Sequence, residues 1–385
     1  MIISNKLSNG GAERVAANLS YDLSKKYNVY LVLGDTRNAD YVSKVKTIQI
    51  KELRKKDYKK YIGILKLKFL KRFLKIDVSI SIGNKPNMYN VLSKYKEKNV
   101  ISIRNYISMM PKSYEKEYKG LILKKAEYIT AVSKAVAKDQ EDNFNVKKNR
   151  IKVIYNYCDK EYISTLLDEK IEDEIYNKIF KDSKVYINIG RLNKQKMQFE
   201  LIKAFSKVSR KYSDAKLVIL GRGEEENTLK ELICKLGLEK NVFLLGFEKN
   251  PYKYLAKSYC FLMTSYFEGM PNTMLEAMSV GLPVISTDSL SGPKEILAPS
   301  LKIDEDIKDY IYAPYGIITK RFSNFNESKE FDENLTNEEI LFADAIEKIH
   351  TDENLRNEYS LKSLERIKDF SKENILKEWE DLIEK

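Results

Sequence analysis

No stretch of this sequence approaches 18 consecutive apolar residues, so it offers no candidate membrane-spanning helix. The opening MIISNKLSNGG has a three-residue apolar start and no secretory pattern. Cysteine is scarce: Cys158, Cys234 and Cys260 are far apart and form no CxxC pair. A disulfide framework and a cysteine-based zinc site are therefore not expected, and a reducing cytoplasm fits. Histidine is scarcer still. The single one, His350, falls at the end of a C-terminal helix and reads as a capping or surface residue. Asp304-Glu305-Asp306 spells a DxD, but in a charged segment where it reads as solvated surface.

What is present is enough chain for two domains, 385 residues, with a normal 43% of apolar residues to build cores. The net charge of +12 is unevenly spread. Residues 1–180 hold 37 basic and 21 acidic side chains, a net of +16, whereas residues 181–385 hold 31 and 35, a net of −4. The first half is the one suited to an anionic surface. It lacks a nucleic-acid recognition motif, which disfavours that class of partner. A biased genome rich in Lys, Asn, Ile and Tyr would also account for much of the charge.

Along the chain, Ser8-Asn9-Gly10-Gly11 precedes a helix on which Ala12, Val15, Ala16, Leu19 and Leu23 recur at helical spacing. Val29–Leu33 then reads as a buried strand. Two glycines at a helix start make either a tight turn or a loop whose N–H groups approach a phosphate. Further strands are expected over 77–83, 100–103, 128–132 and 151–155, with Ser133 as a helix cap. Residues 168–183 read as a linker. Beyond it, strands over 185–189, 217–220, 242–245, 261–264 and 284–286 alternate with helices near 198–211, 224–237, 250–257 and 272–280. That alternation predicts an α/β fold with a parallel, doubly wound sheet. A polar loop is expected over 320–336, then helices near 337–350, 352–368 and 372–384.

Within 51–78, Ile62, Leu65, Phe69, Leu70, Phe73 and Leu74 form an apolar stripe. Lys59, Lys60, Lys66, Lys68, Lys71, Arg72 and Lys75 fill the other positions. Such a helix suits an anionic membrane surface. It equally suits an ordinary lysine-rich surface helix whose stripe packs on the sheet.

Three glycine-marked strand ends stand out in the second half. Gly190-Arg191-Leu192-Asn193-Lys194-Gln195-Lys196 places two cations where they can neutralise a diphosphate. Gly221-Arg222-Gly223 can let a flat base approach the backbone. The third, TSYFEGMPNTMLEAMSVGLPVIST followed by a loop containing SGPKEIL, carries Glu268 and Glu276 at a strand-to-helix turn. Alternatives for the two acids are a solvated loop position for Glu268 and a first-turn, dipole-favoured position for Glu276.

The ordered set GGAERVAANL, AVSKAV, VIYN, GRLNKQK, LGRG, LLGF, EGMPNTMLEAMSVGLPVIST and SGPKEIL resembles a family 4 retaining glycosyltransferase of the GT-B fold. The resemblance covers the whole chain and is strongest over 185–297. It implies two Rossmann-like doubly wound domains facing across a cleft: an acceptor-side domain over 1–170 and a nucleotide-sugar-binding domain over 184–368. The segment 369–385 would pack back on the first. It further implies that Arg191 and Lys196 hold the donor diphosphate, with Glu268 on sugar hydroxyls and Glu276 on ribose hydroxyls. Gly269, Met270, Pro271 and Asn272 would line the sugar and phosphate pocket. Gly190, Gly221 and Gly223 would shape it, and Gly10 and Gly11 would close over the phosphates. Neither a metal nor a cofactor is implied, since the nucleotide-sugar is a substrate.

Two departures stand out. Many relatives carry a histidine near the acceptor, where this chain has Ser102-Ile103-Arg104-Asn105-Tyr106, so Arg104 or Asn105 would take its place. Met197 stands where glycine often follows the lysine. The expected activity is retaining transfer of a hexose or N-acetylhexosamine, from a UDP-sugar, to a lipid-linked or cell-surface glycan. The expected location is cytoplasmic, at the inner face of the plasma membrane. Other readings are a GT-B epimerase or hydrolase, or a non-catalytic nucleotide-sugar-binding subunit.

Overall fold

The structure is a computed structural model describing residues 1–385 apart from 9, 38, 55–58, 111, 291, 324–331 and 333, and without the side chains of 54, 117 and 121. Most of the polar loop expected over 320–336 lies outside the described residues. The chain divides into two compact units, Met1–Asn156 with Glu373–Lys385, and Tyr157–Lys372.

The first unit holds β1 (Ile2–Ser4), β2 (Tyr30–Leu33), β3 (Lys46–Gln49), β4 (Val78–Ile82), β5 (Lys98–Ile103), β6 (Tyr128–Ala131) and β7 (Ile151–Val153). Their order is β3-β2-β1-β4-β5-β6-β7, and every pair is parallel. The second unit holds β8 (Lys184–Ile189), β9 (Ala215–Leu220), β10 (Val242–Gly246), β11 (Cys260–Met263), β12 (Val284–Thr287), β13 (Tyr310–Ala313) and β14 (Gly316–Thr319). Its order is β10-β9-β8-β11-β12-β14-β13, parallel throughout except for the β13–β14 hairpin. Parallel strands are covered on both faces and need uninterrupted apolar runs. Accordingly Tyr186, Ile187, Leu217, Val218, Phe261, Leu262, Ile285 and Ile317 are fully buried.

Three strands are absent from the sequence reading. β3 (KTIQ) is an edge strand with its first two residues exposed, and β13 is an edge strand as well. Neither has the buried apolar run that signals a parallel strand. β14 is buried but only four residues long. The segment read as a loop after β12 contains a six-residue helix, Gly292–Leu297. The chain changes unit at Asn156, ahead of the linker expected over 168–183. The cause is local: Cys158 N–H donates to the Phe370 carbonyl at 2.9 Å, Lys372 Nζ lies 2.6 Å from Asp159, and Asn250 donates to the Leu166 carbonyl at 2.8 Å.

Helix Lys372–Glu384 ends within the first unit, with Ile375, Trp379 and Leu382 buried. Lys152 donates to the Glu378 carbonyl at 2.7 Å, and Lys98 donates to the Leu382 carbonyl. Lys98 satisfies a last-turn carbonyl and complements the helix dipole, whereas the Lys152 contact falls mid-helix.

Two polar residues need correction. Lys71, read as one of the solvent-facing cations, is fully buried and donates to Glu97 Oε1 (2.7 Å), Asn90 Oδ1 (2.7 Å) and the Asn90 carbonyl (3.1 Å). Its three N–H groups are thus matched by three acceptors, although burial still pulls its pKa down to about 8. His350 is buried, not a surface or capping residue. Its Nδ1 is 3.1 Å from Tyr186 Oη, its ring is 4.3 Å from that of Tyr212, and its Nε2 is 3.4 Å from Asp214.

Burial lowers the His350 pKa, with Lys184 adding to the effect and Asp214 opposing it. The neutral imidazole is therefore favoured by folding. Its contribution is complete above the unfolded value, about 6.5, and is lost as pH falls through the folded value. Thermal melts between pH 8 and 5 should accordingly show a steeper loss for the wild type than for His350→Phe below about pH 6.5. Parallel curves would exclude His350 as a source of acid sensitivity.

Candidate active site

In the second sheet the strand order reverses between β8 and β11. The crevice outside the C-terminal ends of such strands is where open α/β sheets hold ligands. Two connections meet there, Gly190–Met197 after β8 and Thr264–Pro271 after β11. Asn188 Nδ2 donates to the Leu262 carbonyl at 2.8 Å, and Thr264 Oγ1 to the Lys196 carbonyl at 2.9 Å. Tyr266 N–H donates to the Gln195 carbonyl at 2.8 Å, and Gln195 Nε2 to the Phe267 carbonyl, also at 2.8 Å. This stitching brings the Lys196 ammonium onto the Glu268 carboxylate. The side chains of the pair keep only 20% and 11% of their exposure. Glu268 is thus a buried, ion-paired acid and not a solvated loop residue.

The glycines explain how the connections fit. The aliphatic stem of Lys196 lies across Gly190, where a Cβ would meet its Cε at 3.3 Å. A Cβ on Gly221 would lie 1.8 Å from the Gly190 carbonyl oxygen, and one on Gly223 would lie 1.9 Å from that of Leu192. Hydrogen bonds from Gly190 N to Leu220 O and from Leu192 N to Arg222 O, both 3.0 Å, zip these loops together. At Gly292, a Cβ would press within 3.0 Å on Pro271, Gly269 and Met270. Gly221, Gly223 and Gly292 are therefore required by close packing within the chain itself, whatever ligand lies outside, whereas Gly190 meets only the Lys196 side chain.

Met197 is fully buried in the left-handed conformation, with φ of 53°. That geometry costs a non-glycine residue about 1–2 kcal/mol, which accounts for the glycine common there in the resembling family. Helix Asn272–Ser279 starts just beyond Gly269, Met270 and Pro271 and directs the positive end of its dipole at that loop. Glu276 is buried in the second turn of this helix, so the first-turn explanation of its charge does not apply. Arg191 is exposed, and its carbonyl accepts from Gln198 at 3.2 Å. Nearby, Lys294 pairs with Asp288 at 3.0 Å and also donates to the Glu305 carbonyl. Burial raises the Asp288 pKa. Asp304, Glu305 and Asp306 are exposed, as read from the sequence.

In the first unit, Gly10 precedes helix Gly11–Leu23, and the Glu13 carboxylate folds back onto it, with Oε2 2.2 Å from where a Cβ would be. The anion at this helix start is thus one of the chain's own side chains. Arg104, at the end of β5, donates to Asn156 Oδ1, and burial lowers its pKa to about 10, which leaves it charged at neutral pH. Asn105 Oδ1 accepts from Tyr106 N–H at 2.9 Å. Sequence reasoning missed Glu13, Gln195 and Thr264 as site-shaping residues. Asn156 was visible as the end of VIYN, but without a partner.

Comparison with known proteins matches residues 9–162 to the model "Glycosyltransferase Family 4" and residues 169–303 to "Glycosyl transferases group 1". A galactosaminyltransferase of Campylobacter jejuni, named for 4-alpha transfer of N-acetylgalactosamine to N-acetylgalactosamine-N,N'-diacetylbacillosaminyl-diphospho-undecaprenol, is 32% identical over 306 residues. The alignment spans 75% of this chain and 80% of that protein. The chain belongs to the group 1, family 4 glycosyltransferases. An uncharacterized glycosyltransferase of Methanocaldococcus jannaschii is 49% identical over 245 residues, 63% of this chain and 60% of that one. The chain thus spans about three fifths of this archaeal relative's length. The crystal structure of Anabaena HepE with UDP and glucose has the same fold, with a TM-score of 0.78 at 16% identity, covering 100% of this chain and 98% of HepE. This glycosyltransferase therefore has the GT-B fold, with two seven-stranded sheets.

The glycine contacts separate structural from local effects. Gly223→Ala drives a Cβ into a carbonyl and should cost more than about 2 kcal/mol of stability. Gly190→Ala displaces only the flexible Lys196 stem and should stay within about 1 kcal/mol of wild type. Equal denaturation midpoints for the two variants would refute the backbone-packing account.

Proposed function

We propose that this glycosyltransferase moves a hexose or N-acetylhexosamine from a UDP-sugar to a lipid-linked or cell-surface glycan, with retention at the anomeric carbon. The observation that carries the reading is the Lys196–Glu268 pair at the β8/β11 reversal, over Gly190 and beside the start of helix Asn272–Ser279. The UDP and glucose bound by HepE and the lipid-diphosphate acceptor in the Campylobacter enzyme's name agree with it.

On this reading Arg191 and Lys196 neutralise the diphosphate, aided by the helix start at Asn272, while Gly269, Met270 and Pro271 surround sugar and phosphate. Glu268 accepts hydrogen bonds from sugar hydroxyls and Glu276 from the ribose pair. Gly221 and Gly223 shape the wall beside the base. Gly10 and Gly11, at the start of helix Gly11–Leu23, are assigned to phosphate as the family resemblance implies. The bond from the anomeric carbon to the diphosphate oxygen breaks as the acceptor oxygen bonds to the same face. The acceptor proton passes to the departing diphosphate, so no side-chain base is required. Preorganised cations stabilise the charge that develops on that leaving group. Arg104, and with it Asn105, is assigned to the acceptor. Its partner Asn156 is neutral, so the guanidinium charge remains for an acceptor phosphate.

UDP release should be fast only with a lipid-diphosphate-linked acceptor present. Lys196→Ala and Glu268→Ala should each lower turnover by about 10²–10³. Lys196→Ala leaves a buried carboxylate uncompensated and should also lower the melting temperature, so Lys196→Gln with Glu268→Gln serves as the folded control. Undiminished turnover in both alanine variants would reject the site. Acceptor-independent UDP release would favour a hydrolase.

A further inference from the structure

The helix Lys59–Phe73 carries two apolar stripes, and only one of them is used by the fold. Gly63, Ile64, Leu67 and Lys71 are buried. A Cβ on Gly63 would meet Leu53 N at 2.8 Å, which marks how tightly this face presses on the preceding turn Lys51–Arg54. Ile62, Leu65, Phe69 and Phe73 are 42%, 67%, 68% and 71% exposed, with Tyr61 at 56%. At about 100° per residue the two sets lie on opposite sides of the helix, each covering an arc roughly 100° wide. The stripe that could have packed on the sheet therefore does not. Phe69 and Phe73 stack on each other, centroids 6.1 Å apart, on the outward side.

We infer that this outward face docks on an anionic lipid bilayer, lying in the interface with Leu65, Phe69 and Phe73 inserted. Charge selects the occupant. Residues 59–75 contain seven lysines and arginines and no acid. Of these, Lys59, Lys66, Lys68, Arg72 and Lys75 are exposed. Aromatic and aliphatic side chains bordered by cations match the acyl boundary and the headgroups of an anionic leaflet. A second copy of the same face would bring like charges together, and an apolar protein groove would offer no anion to Lys68 or Arg72, whereas Lys66 already pairs with Glu52. No helix among the described residues is long and apolar enough to cross a membrane, so this contact would be peripheral. The inference goes beyond the proposed reaction and does not depend on its donor or chemistry.

The test is co-sedimentation of the full chain with vesicles of phosphatidylcholine alone and of phosphatidylcholine mixed with phosphatidylglycerol. The wild type should bind the mixed vesicles, weakening as salt rises, and bind the neutral ones much less. Phe69→Ser with Phe73→Ser should lower vesicle partitioning by about tenfold or more, and Lys68→Glu with Arg72→Glu should remove the preference for anionic lipid. Both pairs should keep the melting temperature and its rise with UDP-sugar, which separates docking from failure of the active-site reading. Wild-type protein that ignores anionic vesicles, or a Phe pair variant that binds like wild type, overturns the inference. So does a wild-type dimer that the Phe variant converts to monomer, which would give the face to a second copy.

Discussion

The close approach of backbone to backbone where β8, β9 and β11 end is the constraint on which the candidate site depends. Parallel strands deliver their C-terminal ends to one edge of a sheet, and the connections leaving them compete for the same space. Here the loop after β9 runs against the loop after β8 at distances that exclude a Cβ at Gly221 and Gly223. The loop after β11 is sewn to the β8 loop through Gln195 and Thr264. Only because these loops are locked does the Lys196 stem lie along Gly190 and its ammonium arrive at Glu268. The ion pair is a consequence of that packing rather than its cause, since backbone and side-chain hydrogen bonds hold the connections together without it.

The central strands of the second unit were legible because parallel strands leave a plain trace, a short apolar run closed by a glycine. The reading placed one at 185–189 where β8 spans Lys184–Ile189, and one at 217–220 where β9 spans Ala215–Leu220. Edge strands leave no such trace, and β3 and β13 went unread for that reason. The family was legible from the order of its motifs, whereas contacts were not. Glu268 and Lys196 are 72 residues apart, and nothing in either segment alone states that they touch. His350 and Lys71 were misread by the same logic in reverse. A polar side chain is assigned to solvent by default, and only tertiary partners such as Tyr186, Asp214, Glu97 and Asn90 reveal it as buried.

The helix at 59–73 shows a different limit. Its sequence has too many apolar positions for one stripe, and periodicity cannot say which of two opposed stripes faces the sheet. The reading grouped Ile62, Leu65, Phe69 and Phe73 with Leu70 and Leu74 as one face. The fold instead takes Ile64 and Leu67 inward and turns Leu65, Phe69 and Phe73 outward. Part of the first unit's positive charge is spent internally, in Lys71 on Glu97 and Asn90 and in Lys98 and Lys152 on carbonyls of the last helix. What remains outward on 59–73 is adjacent to apolar surface, so there charge is a local feature and not only a compositional bias.

The ion pair also bears on the chemistry. The Lys196 ammonium has an anionic partner within the chain, so it is not a bare cation in its crevice. On the proposed reading, an arriving diphosphate takes over that ammonium while the Glu268 carboxylate turns to sugar hydroxyls. The crevice then passes from one compensated state to another without carrying an isolated buried charge, which would be costly. In both states Glu268 is engaged as an acceptor, first by the ammonium and then by hydroxyls, and the proposed reading assigns it that role rather than the acceptor's proton. With the one histidine locked between Tyr186, Tyr212 and Asp214 in the core, the proposed reading gives that proton to the departing diphosphate, which gains negative charge as its bond to the anomeric carbon breaks.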